Sequence, residues 1–274
     1  MSQKLTFIGA GNMASAIFGG LLRQGYAATD ITATSPEAEA LRRIRERYGI
    51  NTQNDNVAAV AQADVVVLAI KPQVVRDVCL PLCDAIRQRS RPPLIISIVA
   101  GIEAETISHW LGGGLPVVRC MPNTPALVGT GASGLFANAH CSTEQRELAG
   151  QLLGAVGLVE WVDNEPLIDA VTAVSGSGPA YFFMFFSAME DAGVALGLPR
   201  AIARRLALQT GLGAARMALA GDKSPAQLMR DVMSPQGTTE RAITTFEYHE
   251  LNEIVHAAME ACALRAREMR SDFV

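Results

Sequence analysis

The chain has 274 residues, a net charge of −4, and 49% hydrophobic but only 5% aromatic residues. That length has room for two domains with separate cores, and a core of Ala, Leu, Val and Ile suits α/β layers and helix bundles better than an aromatic-rich β-sandwich. The charge excludes a basic field for nucleic acid or a cationic helix for a membrane surface, and no apolar window reaches the roughly eighteen residues that a membrane span needs.

Leu5 to Ile8 reads as a short buried strand. Gly9, Gly11 and Ala14 follow at the G-x-G-x-x-A spacing, and Ala14 to Leu22 continues as an apolar helix. Gly9 permits the tight turn, Gly11 lets a pyrophosphate approach the backbone, and the small Ala14 lets helix and strand pack closely. The phosphates would then sit on free N–H groups at a helix N-terminus.

Asp30 to Thr34 is the second strand, and it ends in Thr34-Ser35-Pro36. NAD-binding sites place a carboxylate here for the ribose hydroxyls; hydroxyls and a free helix N-terminus suit a 2′-phosphate instead, so NADPH is preferred, with NAD use still open. Arg42 and Arg43 read as a solvated helix face. Asn51 to Val60 gives a short strand and helix, and Asp64 to Ile70 is an apolar strand of parallel-sheet type ending in Lys71-Pro72. Gln73 to Gln88 reads as one helix, Leu94 to Val99 as a strand closed by Ala100-Gly101, Ile102 to Leu111 as a helix, and Pro116 to Cys120 as a strand leading into Met121-Pro122-Asn123-Thr124-Pro125. Ser133 to Ala137, a helix from Thr143 to Gly154 and Leu158 to Val162 complete a doubly wound parallel sheet of six or more strands.

The texture changes near residue 163, so residues 1–162 form the dinucleotide-binding domain and 163–274 a helical one. Helices are expected over Pro179–Leu196, Pro199–Ala220, Pro225–Met233, Thr239–His249 and Glu250–Arg270, apolar around more of their circumference than one small bundle hides. That excess suggests burial between subunits. Two segments in this half, Ser175-Gly176-Ser177-Gly178-Pro179-Ala180-Tyr181 and Ser234-Pro235-Gln236-Gly237-Thr238-Thr239, read as loops opening helices, with N–H groups and hydroxyls that suit a carboxylate.

The acid–base inventory is thin. His109, His140, His249 and His256 lack motif context, and Lys71 is the one cation at a strand end near the cofactor turn. Cys79, Cys83, Cys120, Cys141 and Cys262 form an odd, scattered set without zinc spacing, read as free thiols in a reducing cytosol; no metal is expected. The chain enters a strand almost at once, with no signal-peptide pattern, which also points to the cytoplasm. Little acid–base machinery suits hydride addition to an already electrophilic C=N bond.

Together these segments resemble pyrroline-5-carboxylate reductase, the family that closes proline biosynthesis. The resemblance runs end to end and rests on Phe7-Ile8-Gly9-Ala10-Gly11-Asn12-Met13-Ala14, Ala69-Ile70-Lys71-Pro72, Arg119-Cys120-Met121-Pro122-Asn123-Thr124-Pro125, Ala173 to Tyr181, and Ser234 to Thr239. It implies NAD(P)H-dependent reduction of L-1-pyrroline-5-carboxylate to L-proline by a Rossmann-type domain followed by an all-α dimerisation domain, with a homodimer formed through the helices and, in some members, decamers assembled from such dimers. By position, it implies that Gly9, Gly11, Asn12 and Met13 hold the phosphates, and that Thr34 and Ser35 hold the adenosine phosphate. Asn56 would lie near the adenine ribose, Ala69, Lys71 and Pro72 along the nicotinamide side, and Ala100 among the cofactor contacts. Ser175, Ser234, Gln236, Gly237, Thr238 and Thr239 would form the substrate pocket. Thr239 would bond the ring nitrogen, with Lys71 and Ser175 as the other catalytic candidates. Gln236 departs from the commoner family glycine, which bears on the loop's shape.

Two competing readings are weaker. A β-hydroxyacid dehydrogenase needs a helix-borne lysine, and this chain offers only Lys4, Lys71 and Lys223. A non-catalytic NADPH-binding scaffold is disfavoured by the intact serine, glycine and threonine segments.

Overall fold

The computed structural model describes residues 3–271. It divides into two compact units, one running to Ser177 and resuming at Cys262, the other spanning Gly178–Ala261.

The first unit begins β1 (Leu5–Ile8), α1 (Asn12–Arg23), β2 (Ile31–Thr34), α2 (Ala38–Tyr48), β3 (Asn51–Gln53), α3 (Asn56–Val60) and β4 (Val65–Leu68). It continues α4 (Val75–Cys79), α5 (Cys83–Arg87), β5 (Leu94–Ser97), α6 (Ala104–Trp110), β6 (Val117–Met121), β7 (Gly131–Ala137), α7 (Thr143–Gly154), β8 (Gly157–Trp161) and α8 (Leu167–Val171). The strands form one eight-stranded sheet in the order β3-β2-β1-β4-β5-β6-β7-β8, parallel except between β6 and β7. Successive strand residues feed opposite cores, as the pleat requires. Leu5, Phe7, Val65 and Val67 pack with Ile17 and Phe18 of α1 and with Leu152 of α7. Ile8, Val66 and Leu68 pack with Val75, Ile86 and Ile107 on the other face.

The register aligns the strand ends. Ile8 lies opposite Thr34 and Leu68, Thr34 opposite Gln53, and Leu68 opposite Ser97. Every segment that follows these strands therefore emerges at one edge, and the sheet order reverses between β1 and β4, where α/β sheets of this kind take ligands.

Two expectations need correction. Residues 73–88 are not one helix: Pro81, which lacks an N–H, falls in a 3₁₀ turn, Leu80–Leu82, that separates α4 from α5. The segment from Ser175 is not a free loop either, because Thr172–Gly176 forms a π-helical turn that joins α8 to the next helix.

That next helix is α9 (Gly178–Ala195), followed by α10 (Arg200–Ala220), α11 (Pro225–Val232), α12 (Thr238–Tyr248) and α13 (Leu251–Ser271), the last running from the second unit into the first. Pro225 sits in the first turn of α11, where its missing N–H costs nothing, and Ser224 caps that turn by accepting from Gln227 N at 3.3 Å. Small residues let α9 and α10 approach: a Cβ on Gly193 would lie 3.0 Å from Ala203 Cβ. Glu190 of α9 also accepts from Arg204 and Arg200 of α10 at 2.7 and 2.8 Å. Much of the apolar surface stays open on a single chain, with Met184 78% and Leu219 84% exposed.

Candidate active site

The glycine turn is held from both sides. Gly9 N donates to Thr34 O at 3.1 Å, and Ala69 N donates to Ile8 O at 2.8 Å. Gly9 has φ +105°, and a Cβ there would lie 2.8 Å from the Ala69 carbonyl carbon, so only glycine fits. Gly11 is different: a Cβ there would meet nothing within 4 Å. Its bareness serves no contact within the chain, which fits a ligand coming close from outside. The helix begins at Asn12 rather than Ala14, so Asn12 and Met13 lie in its first turn; α1 has neither a side-chain cap nor an acidic residue there. Its opening N–H groups are left for an anion.

At the end of β2, Thr34 is only 1% exposed and donates its hydroxyl to Phe7 O at 3.4 Å. Ser35 is the outward hydroxyl, and its Oγ accepts from Glu37 N at 3.1 Å, leaving its own proton to give. Arg42 is held by Glu39 and Glu46 at 2.7 and 2.8 Å on the solvated face of α2. Asn56 opens α3, where Asp55 caps Val57 N and Ala58 N. Ala69 and Ile70 follow β4, and Lys71 is exposed and has no ion-pair partner among the described residues. Ala100 lies in the turn after β5. Glu165 anchors the far end of that turn, accepting from Ala104 N at 2.7 Å and from the buried Arg119 at 2.8 Å.

Ser175 is brought to the same edge by a contact that the sequence did not disclose. Asn123, just beyond β6, donates from Nδ2 to Ser175 O at 3.0 Å. The Ser175 hydroxyl donates to Val171 O at 3.1 Å.

In the second unit, Ser234–Gly237 is a tight turn before α12. Gly237 N donates to Ser234 O at 2.9 Å, and a Cβ on Gly237 would collide with Ser234. Gln236 has φ +61°, the left-handed conformation in which glycine is at ease, and its N–H donates to Glu240 Oε2 at 2.6 Å. Those two N–H groups are thus engaged. α12 has no side-chain cap, which leaves the N–H groups of Thr238 and Thr239 for a carboxylate. Lys223 pairs with Asp231 at 2.7 Å, so it is not a free acid–base lysine.

No cluster of His, Cys, Asp and Glu among the described residues has metal-binding geometry. Burial pushes the Cys79 and Cys120 thiols up to about 12, which makes them poor nucleophiles.

Comparison with known proteins places this geometry among relatives. A family model described as pyrroline-5-carboxylate reductase dimerisation matches residues 165–269, and one described as NADP oxidoreductase, coenzyme F420-dependent, matches residues 4–101. A pyrroline-5-carboxylate reductase of Pseudomonas aeruginosa is 52% identical over 98% of this chain and 97% of its own length; one from Vibrio alginolyticus is 44% identical over 99% of both. The solved reductase of Coxiella burnetii superposes with a TM-score of 0.94 at 43% identity, covering 98% of this chain and 99% of that one. The Plasmodium falciparum enzyme, solved with NADP bound, gives 0.85 at 27% identity over 98% of each chain.

Proposed function

The chain belongs to the pyrroline-5-carboxylate reductase family, and from that premise we propose how its own residues carry out the NAD(P)H-dependent reduction of L-1-pyrroline-5-carboxylate to L-proline. The observation that carries the reading is the convergence of the cofactor candidates at one edge of the sheet, beside an uncapped helix N-terminus and a glycine that faces open space.

Asn12, Met13 and the amides around Gly11 hold the pyrophosphate, with Gly9 shaping the turn. Ser35 donates to the 2′-phosphate, which favours NADPH over NADH, while Thr34 secures the turn beneath it. Asn56 lies near the adenine ribose; Ala69, Lys71, Pro72 and Ala100 line the nicotinamide side. NADPH, when bound, supplies the hydride that the imine carbon accepts.

The substrate carboxylate takes the N–H groups of Thr238 and Thr239 at the start of α12, within the pocket formed by Ser234, Gln236 and Gly237. Holding the ring in a near-attack position supplies most of the acceleration. The Thr239 hydroxyl stabilises the ring nitrogen as it gains a proton from solvent or from that hydroxyl; Ser175 and Lys71, at the sheet edge of the first unit, are the other catalytic candidates.

Residues 1–162 bind cofactor, and 163–274 bind substrate and pair two copies through the open apolar faces of α9 and α10, with higher assembly of dimers a further step. The five cysteines are free thiols, which suits the cytoplasm. Following NADPH absorbance with pyrroline-5-carboxylate, and separately NAD reduction with 3-hydroxyacids, tests the whole reading. Turnover with the imino acid and a lower KM for NADPH than for NADH are expected; oxidation of 3-hydroxyacids alone would overturn it.

A further inference from the structure

Asn123 links two parts of the first unit that lie far apart in sequence. It follows β6 at the cofactor edge of the sheet, in the run Pro122-Asn123-Thr124-Pro125, and is 8% exposed. Its Oδ1 accepts from Ala132 N at 2.9 Å, and its Nδ2 donates to Ser175 O at 3.0 Å. The two partners, one a donor and one an acceptor, fix the amide's orientation without ambiguity.

The Ser175 carbonyl needs such a donor. In an α-helix it would accept from the N–H four residues on, but that residue is Pro179, which has none. The π turn leaves the next hydrogen bond displaced as well, with Ser177 N donating to Thr172 O at 2.8 Å. A half-buried carbonyl without a partner is costly, so the side chain of Asn123 stands in for the missing backbone donor. The Ser175 hydroxyl spends its one proton on Val171 O and therefore presents only lone pairs, the polarity suited to an N–H on a ring nitrogen.

We propose that Asn123 is a positioning residue for the reduction: by holding the Ser175 carbonyl it sets the π turn, and with it the Ser175 hydroxyl, at the carboxyl edge of the sheet. This rests on the reading of Ser175 as a pocket residue. Two neighbours support it. Met121 packs against the same turn, since a Cβ on Gly176 would lie 3.4 Å from its Cγ, and Ala132 is the second residue of β7, so the clamp is anchored in the sheet.

The test compares N123D, S175A and the double variant in the full-length enzyme. N123D keeps an acceptor for Ala132 N but loses the donor to Ser175 O. If Asn123 acts through Ser175, N123D lowers kcat about tenfold to a hundredfold, the range for a displaced reacting group, and shifts KM for NADPH by less than about threefold. The double variant then falls no further than about twofold below the worse single one, because the two changes remove one interaction. An unchanged kcat in S175A would refute the reading of Ser175. A fall in S175A without a fall in N123D, or a multiplicative loss in the double variant, would refute the role of Asn123. Should N123D not fold, N123S is measured in the same two backgrounds, with the same outcomes deciding.

Discussion

The two glycines of the amino-terminal turn should separate cleanly when each is changed to alanine. At Gly9 the new Cβ must adopt φ +105° and press on the backbone at Ala69, its carbonyl carbon only 2.8 Å away. Positive φ costs a residue with a Cβ about 1–2 kcal/mol, and overpacking against fixed backbone adds about 1–3, so G9A should lose about 2–5 kcal/mol. For a chain of this size that is a fall in Tm of about 5–15 °C. At Gly11 φ is −79° and a Cβ meets no atom within 4 Å, so only the N-cap preference for glycine over alanine, about 1 kcal/mol or less, is lost. The added methyl instead stands where the pyrophosphate must come close. Losing one hydrogen bond to a charged group, about 1.5–3 kcal/mol, raises the Kd for NADPH about tenfold to a hundredfold or more. Thermal unfolding without cofactor and NADPH titration by fluorescence measure the two effects independently. A G11A variant that melts as low as G9A, or binds NADPH as tightly as the parent, would refute the division of labour between the glycines.

T239A should lower kcat about tenfold to a hundredfold while leaving NADPH affinity near the parent value, the loss of one hydrogen bond made in the transition state; steady-state and binding assays read the two numbers. Q236G should raise Tm or leave it unchanged, because glycine accepts φ +61° without the strain of a side chain and gives back at most part of that gain in unfolded-state entropy. Glu190 is held down to about 2 by its hydrogen bonds to Arg204 and then Arg200. A carboxylate whose folded pKa lies below its unfolded value stabilises the fold fully above pH about 4.5 and loses that effect as pH falls towards 2. The Tm difference between parent and E190Q, measured across that window, should therefore shrink with acid. Cys79 and Cys120 should resist iodoacetamide in the native enzyme and react only on unfolding, as mass-spectrometric peptide mapping would show.

What could be read from sequence was what local geometry dictates. The G-x-G-x-x-A spacing, the apolar parallel strands and α7 from Thr143 to Gly154 each follow from neighbours along the chain. The departure at Gln236 was visible as an odd residue, but its meaning was not: the position is left-handed, and Glu240, one helical turn away, accepts its N–H and so steadies it. Glu240 also engages an N–H in the proposed carboxylate pocket, which moves the binding burden onto Thr238 and Thr239.

The serine–glycine segment was harder because its composition argues for a turn while its surroundings enforce a helix. Two hydroxyls bonded back to carbonyls one turn earlier, Thr172 to Ile168 and Ser175 to Val171, are compatible with continued helix. The proline that should end it leaves one carbonyl bare, and the donor that answers it comes from 52 residues earlier in the chain. The same separation hides Glu165, which pairs with Arg119 across 46 residues and braces the turn after β5. Buried polar groups must find partners, but the requirement says nothing about where in the sequence the partner stands. A proline-flanked asparagine at a strand end is therefore the visible half of a bond, and the other half is a proline in the first turn of α9 whose missing hydrogen the fold has to replace.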